Sequence, residues 1–396
     1  MTGALSPSWR PTDVPPSWRP TVAEIDLDAI VGNVAALASR AHPAALCAVV
    51  KADGYGHGSV QVARAATAGG ATWLAVALVE EGAVLRDAGI ADRILLLSEP
   101  PPGSADAVIA YDLTPTVYSS SAVHDLALAA KSAGRRGVSV HVKIDTGMHR
   151  VGTPPTGAVA LCREIEAAGN LRLEGVWTHF AVADEVDDPF TAEQLARFDA
   201  TLRDLVSAGI KPGLVHAANS AGTVAHPDSH RHLVRVGIAV YGLAPDASLA
   251  PSRFGVTLQP AMRLTSRVSH VKVLPGGTRG VSYGLMRPID ADTVVATVPI
   301  GYADGVPRRR SSVGGEVLIG GRRRPFAGRV TMDQLLIDCG HPSAGDVERG
   351  DEVVLIGRQG DEEITAWEWA SQLDTIAYEI VCGISSRVPR RYRGGP

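Results

Sequence analysis

The sequence predicts an α/β chain in two parts, an N-terminal (β/α)8 barrel followed by a mostly β C-terminal domain. Three observations carry this prediction. From about residue 26, short apolar, β-branched runs alternate with longer stretches of helical period. After Tyr241-Gly-Leu-Ala-Pro245 that rhythm gives way to alternating strands separated by turn signals. The chain's 396 residues exceed the usual size of a single core.

The first element, over residues 1–21, is read as an extended arm. It holds a short duplication, Pro7-Ser-Trp-Arg-Pro-Thr12 and Pro16-Ser-Trp-Arg-Pro-Thr21, whose prolines oppose both helix and central strand. The barrel follows over 22–250. Its strands are expected at 46–50, 73–78, 94–97, 114–118, 138–144, 173–178, 214–216 and 234–240, most of them separated by Ala/Leu/Val-rich amphipathic stretches. Eight such runs with room for crossover helices fit a closed barrel better than an open doubly wound sheet. Over 251–396 the expected strands are 262–274, 293–299, 316–319, 335–339 and 352–356, with one helix near 365–373 capped by Thr365. The basic end, Arg387 to Arg393, reads as a solvated tail.

Composition narrows the function. A 45% hydrophobic and 20% charged chain is ordinary globular protein. The formal charge of -4 creates no field favouring nucleic acid or an anionic membrane. Cys47, Cys162, Cys339 and Cys382 are scattered without a C-x-x-C pair, so neither a disulfide framework nor a metal site is expected. The sequence lacks a leader pattern, and no apolar run reaches the roughly 18 residues that span a bilayer. A cytoplasmic enzyme acting on a small molecule is the expectation.

In a parallel barrel the active site is built at the C-terminal strand ends. The first strand ends in Val50-Lys51-Ala-Asp-Gly-Tyr55-Gly-His57-Gly58, placing an amine at the barrel mouth before a glycine-rich turn. Burial or neighbouring cations would free that amine for imine formation and base chemistry. By position alone a solvated strand-end lysine is the favoured reading. The fifth strand ends in His141-Val-Lys-Ile-Asp-Thr-Gly-Met-His-Arg150, and the sixth in Trp177-Thr-His179-Phe. The seventh ends in His216-Ala-Ala-Asn219-Ser220 and the eighth carries Val234-Arg235-Val-Gly237-Ile238. The C-terminal half adds Arg279-Gly-Val-Ser-Tyr283-Gly284, Pro299-Ile-Gly-Tyr302-Ala-Asp-Gly305, Gly328-Arg-Val-Thr-Met332-Asp333-Gln334 and Ala377-Tyr378-Glu379.

Taken in order from about Ala23 to Arg391, these segments closely resemble the alanine racemase family, pyridoxal-phosphate enzymes of fold type III. The resemblance implies that Lys51 holds pyridoxal 5'-phosphate as a Schiff base and is one of two catalytic bases. Tyr283 would be the other, reaching the active site of the partner subunit in a homodimer with shared sites. Abstraction from one face of the α-carbon and reprotonation from the other require two such groups. A free phenol has a pKa of about 10, so Tyr283 would need the His179–Arg235 neighbourhood to stabilise its charged form.

The resemblance further assigns the cofactor phosphate to Tyr55, Ser220 and Tyr378, cofactor contacts to His179, Gly237 and Ile238, and contact with the catalytic tyrosine also to His179. Arg235 would face the pyridine nitrogen. A guanidinium there keeps its proton, with a pKa above about 12, so negative charge spreads less fully into the ring and reprotonation is favoured over transamination. Arg150 and the backbone N–H of Met332 would hold the substrate carboxylate. Lys143 occupies a position carbamylated in many members, Tyr302 lies near the access path, and Asp333 supports. Where the usual run reads G-M-G-R, this chain has His149 before Arg150. His57 is given no catalytic role.

The activity so implied is interconversion of L- and D-alanine, supplying D-alanine for peptidoglycan. A decarboxylase of the same fold type is the rival enzyme. It is disfavoured because such relatives place an acid at the pyridine nitrogen. A non-catalytic pyridoxal-phosphate carrier would have no use for the second domain.

Overall fold

The computed structural model describes residues 19–396, so most of the arm over 1–21 and the first copy of its repeat lie outside the described residues. The chain divides into two compact units. One is Leu27–Pro260 with Gly395–Pro396, and the other joins the residues up to Asp26 to Ala261–Gly394. The first strand, β1 (Val22–Asp26), which sequence placed with the barrel, is therefore part of the second unit.

In the first unit the strands are β2 (Ala45–Val49), β3 (Trp73–Val76), β4 (Arg93–Leu96), β5 (Thr116–Val117), β6 (Val138–Lys143), β7 (Leu171–Trp177), β8 (Leu214–His216) and β9 (Leu233–Val236). Every expected run supplies one. Parallel pairing orders them β4-β3-β2-β9 and β5-β6-β7-β8. A parallel bridge between Leu95 and Thr114 joins β4 to the approach of β5. The His232 N–H donates to Val215 O (3.0 Å) and the Arg235 N–H to Ala218 O (2.9 Å), which joins β8 to β9. The ring closes as a (β/α)8 barrel.

The strands are mostly apolar on both faces because helices cover the outside and side chains fill the inside, with His141, Glu174 and Arg235 among the buried exceptions. Helix Leu27–Ala41 shows the covering pattern, burying Leu27, Ile30, Val34, Leu37 and Ala41 at spacings of three and four. Apolar strands fix where the barrel runs; the polar residues at their ends are left at its mouth.

The second unit is mostly β. Its main sheet is built from β10 (Met262–Arg267), β13 (Glu316–Ile319), β14 (Arg322–Pro325), β16 (Glu352–Gln359) and β18 (Arg390–Arg393) together with β1. The order is β14-β13-β16-β10-β1-β18, with β17 (Glu362–Ile364) on β16. A smaller sheet pairs β11 (His270–Leu274), β12 (Thr293–Val298) and β15 (Leu335–Asp338). Helix Ala366–Leu373 starts as expected, the Glu368 N–H donating to the Thr365 hydroxyl at 2.9 Å.

Other features differ from the expectation: the run expected as one strand over 262–274 breaks at Val268-Ser269 into β10 and β11, which lie in different sheets. Helix Ala377–Cys382 is too short for its period to show. The basic end is no solvated tail, since Arg390–Arg393 pairs in parallel with Ala23–Asp26. Its charges are accommodated: Arg390 donates to the carbonyls of Ile384, Ser385 and Val388, and Arg393 pairs with Asp26 at 2.8 Å.

Candidate active site

Lys51 directly follows β2 and opens a tight turn, Lys51–Tyr55. The turn is left-handed, with Ala52, Asp53, Gly54 and Tyr55 at φ between 50° and 60°. Only Gly54 adopts this freely; for the others it is strained backbone, held where the surroundings over-determine it. Glu81 is a main restraint. Its carboxylate accepts the Ala52 N–H at 2.6 Å and those of Ala77 and Leu78 at 2.8 and 3.1 Å. Asp53 in turn accepts from Ser59 N–H. His57, fully buried, lies with Nδ1 2.9 Å from the Tyr55 carbonyl and braces the turn.

Opposite, Lys143 ends β6 and is almost wholly buried, its Nζ 4.6 Å from the centre of the Trp177 ring. Burial, then the charges of Arg150, Arg235 and Lys51, outweigh Asp145 and bring its ammonium down to about 7. A share of Lys143 is thus the neutral amine that carbamylation requires at neutral pH. The same cations, after burial, hold His179 well below the usual imidazole range. Four basic groups with one acid between them give the mouth a surplus of positive charge suited to an anionic ligand.

Arg235, on β9, is buried. Its Nη2 donates to the carbonyls of Thr178 and Ala217 at 2.8 and 2.9 Å and faces His179 Nδ1 at 3.3 Å. Its Nη1 donates to His216 Nδ1 at 2.9 Å. The guanidinium lies 4.4 Å over Trp177. Burial lowers it to about 9, which still leaves it cationic at neutral pH. All these partners are neutral, and none is a carboxylate.

Beyond Arg235 the chain leaves a bare backbone. A Cβ at Gly237 would lie 2.5 Å from the Tyr55 hydroxyl, and the Gly237 N–H donates to Ser220 Oγ at 2.9 Å. Two hydroxyls and the backbone at Gly237 and Ile238 therefore converge on one spot, next to the Asn219 cap that receives the Gly222 N–H. This cradle is closed to any side chain at 237 and fits a phosphate. Arg150 follows on the exposed loop, where His149 takes φ +55° and binds Asp145 through its N–H and ring.

Tyr283, Tyr302, Met332, Asp333 and Tyr378 belong to the other unit. Tyr283 is 72% exposed, far from the burial of a packing residue. Its loop rests on another loop, since a Cβ at Gly328 would meet Val281 O at 2.6 Å and Ser282 Oγ donates to Arg329 O. Tyr302 and Met332 are likewise exposed and joined by backbone: Tyr302 N–H donates to Thr331 O and Ala303 N–H to Met332 O. Arg387 ties Asp333 (2.7 Å) to buried Asp304 (3.4 Å), which also receives Arg19 at 2.6 Å. Arg19, the arginine of the second repeat copy, is thus anchored. Tyr378 sits on helix Ala377–Cys382.

The barrel residues singled out in the sequence are gathered at one mouth, and those of the β unit lie on connected loops or the helix after them. What sequence missed lies deeper: His216, His141 and Glu174 extend from Arg235 into the barrel wall. The available signal was a charge, Glu174, inside the expected strand run 173–178. Among the described residues no group of His, Cys, Asp and Glu could hold a metal ion.

Comparison with known proteins supplies further findings. Residues 25–245 match the family model "Alanine racemase, N-terminal domain", and residues 261–392 match "Alanine racemase, C-terminal domain". An alanine racemase of Symbiobacterium thermophilum is 48% identical over 375 residues, covering 94% of this chain and 97% of that protein. One from Thermobifida fusca is 45% identical, covering 94% and 98%. Among solved structures, alanine racemase from Streptomyces lavendulae aligns with a TM-score of 0.88 at 42% identity, covering 97% of this chain and 99% of that one.

Proposed function

This chain belongs to the alanine racemase family and is an isomerase that racemises alanine, and we propose that it does so with pyridoxal 5'-phosphate and two opposed bases. The cofactor, when bound, supplies a conjugated ring that makes the substrate's α-proton removable. Lys51 holds it and moves the proton on one face of the α-carbon; the partner subunit's Tyr283 moves it on the other. Tyr55, Ser220, Gly237, Ile238 and Tyr378 hold the phosphate, while Arg150 and the Met332 N–H hold the substrate carboxylate. His179, whose Nδ1 faces Arg235, presents its Nε2–H toward the tyrosine. The protein works as a homodimer in the cytoplasm and supplies D-alanine for peptidoglycan.

The observation that supports this reading best is the coordination of Arg235 by neutral groups alone. A cation at the ring nitrogen, with no acid to hand on a proton, restrains charge spreading into the ring. That favours returning the proton to the α-carbon over other outcomes. The test has two arms. Lys51→Ala should lose the visible absorbance of bound cofactor, and a retained band would sink the assignment. Tyr283→Ala in D2O should keep α-deuterium exchange far better for one enantiomer of alanine than for the other; equal loss for both would contradict two opposed bases.

A further inference from the structure

We infer that Glu174, acting through His141 and His216, fixes the position and hydrogen-bond state of Arg235 and is a positioning residue for the ring end of the site. The functional part of this rests on reading Arg235 as the partner of the cofactor's ring nitrogen. The argument about hydrogens does not.

Arginine has donors only, so Arg235 Nη1 must donate to His216 Nδ1, 2.9 Å away. A neutral His216 then carries its proton on Nε2, which lies 2.9 Å from His141 Nδ1. His141 accepts there and keeps its own proton on Nε2. That atom faces Glu174 Oε2 at 3.5 Å, an electrostatic approach longer than a normal hydrogen bond, and neither atom has a hydrogen-bond partner among the described residues. The far end is an obligate acceptor: Glu174 is bound by Arg93 at 2.5 Å and Arg172 at 3.2 Å. With a donor-only group at one end and an acceptor-only group at the other, one arrangement of protons satisfies both hydrogen bonds and turns an N–H toward the carboxylate. A second proton on His216 would set a donor against Arg235, and one on His141 a donor against His216.

The charges agree with this. Burial lowers both imidazoles, His216 further through Arg235, although Glu174 partly opposes the shift of His141. Burial would raise Glu174, yet His141 and Arg93 hold it at about 2. The packing is as specific as the bonding. Trp177 stacks on His216 with 11° between planes, Trp73 flanks His141 at 5.4 Å, and a Cβ at Gly175 would come within 2.8 Å of the His141 ring. The glycine makes room for the imidazole inside an otherwise filled wall. Through the two rings the negative charge of Glu174 polarises the bond to Arg235 without a carboxylate touching the guanidinium, as in other buried hydrogen-bond chains.

Neutron diffraction from the perdeuterated full-length enzyme should find deuterium on Nε2 of both His141 and His216 and none on either Nδ1. A deuteron on His216 Nδ1, or on Glu174, would overturn the proposal whatever becomes of the cofactor assignment, which the Lys51 variant decides separately. In solution, Glu174→Gln should lower kcat about tenfold through loss of a buried charge close to His141, with KM little changed and the visible cofactor band displaced. Gly175→Ala, which moves the His141 ring and keeps every charge, should give the same signature in weaker form. A loss in which KM moves with kcat and the band stays in place would reduce Glu174 to packing and overturn the proposal; so would unchanged kcat and spectrum in both variants. Should Glu174→Gln fail to fold, the neutron result and Gly175→Ala decide.

Discussion

A single residue shows how local chemistry can be read against its backbone. His149 stands at φ +55°, bound to Asp145 by its N–H and its ring. Histidine is among the side chains that tolerate this region, whereas a β-branched one is not. His149→Val should therefore cost about 1–2 kcal/mol. His149→Gly should stay within about 0.5 kcal/mol, because relief of strain is offset by the entropy of a more flexible unfolded chain. Urea titration of the two variants measures both, and an equally stable Val variant would contradict the strain. The resemblance pointed to this position because the family run has glycine there, and the structure gives the reason: the backbone is left-handed.

At the scale of elements, the turn Lys51–Tyr55 is held by a side chain from another element, Glu81 of helix Val79–Asp87. Glu81→Ala should release three backbone N–H groups and let Ala52, Asp53 and Tyr55 relax. The expected loss is about 2 kcal/mol of stability, with weakened retention of cofactor during gel filtration. Retention equal to wild type would show that the turn holds its shape unaided. Elements were legible in sequence where burial imposes a pattern. Apolar runs marked each barrel strand, and Thr365 marked a helix start. They were illegible where the pattern was set by distant partners. Arg390–Arg393 looks like a solvated tail until β1 pairs with it, and the line from Arg235 to Glu174 draws on four strands at once. Lys51, Lys143 and Arg235 were readable because each ends or interrupts an apolar run; Glu174 interrupts one too, but only its neighbours explain why.

For the whole molecule, the proposed sharing of active sites between subunits makes a prediction no single-chain variant can. Lys51→Ala and Tyr283→Ala are each expected to be inactive as homodimers. Co-expressed with different tags, they should form mixed dimers in which one of the two sites has both bases intact. The doubly purified mixed dimers should show about half the wild-type racemisation per dimer, one intact site of two. No recovery in mixed dimers would mean that both bases come from one chain. The course of the chain carries a further consequence. β1 precedes the barrel in the chain, yet it lies between β10 and β18, strands begun at residues 262 and 390. The barrel residues, Leu27–Pro260, are nearly all synthesised before either neighbour exists. β1 must wait with its edges unsatisfied until the barrel has been made, and its second edge until β18 follows, so the β unit completes its main sheet after all the barrel residues up to Pro260 exist.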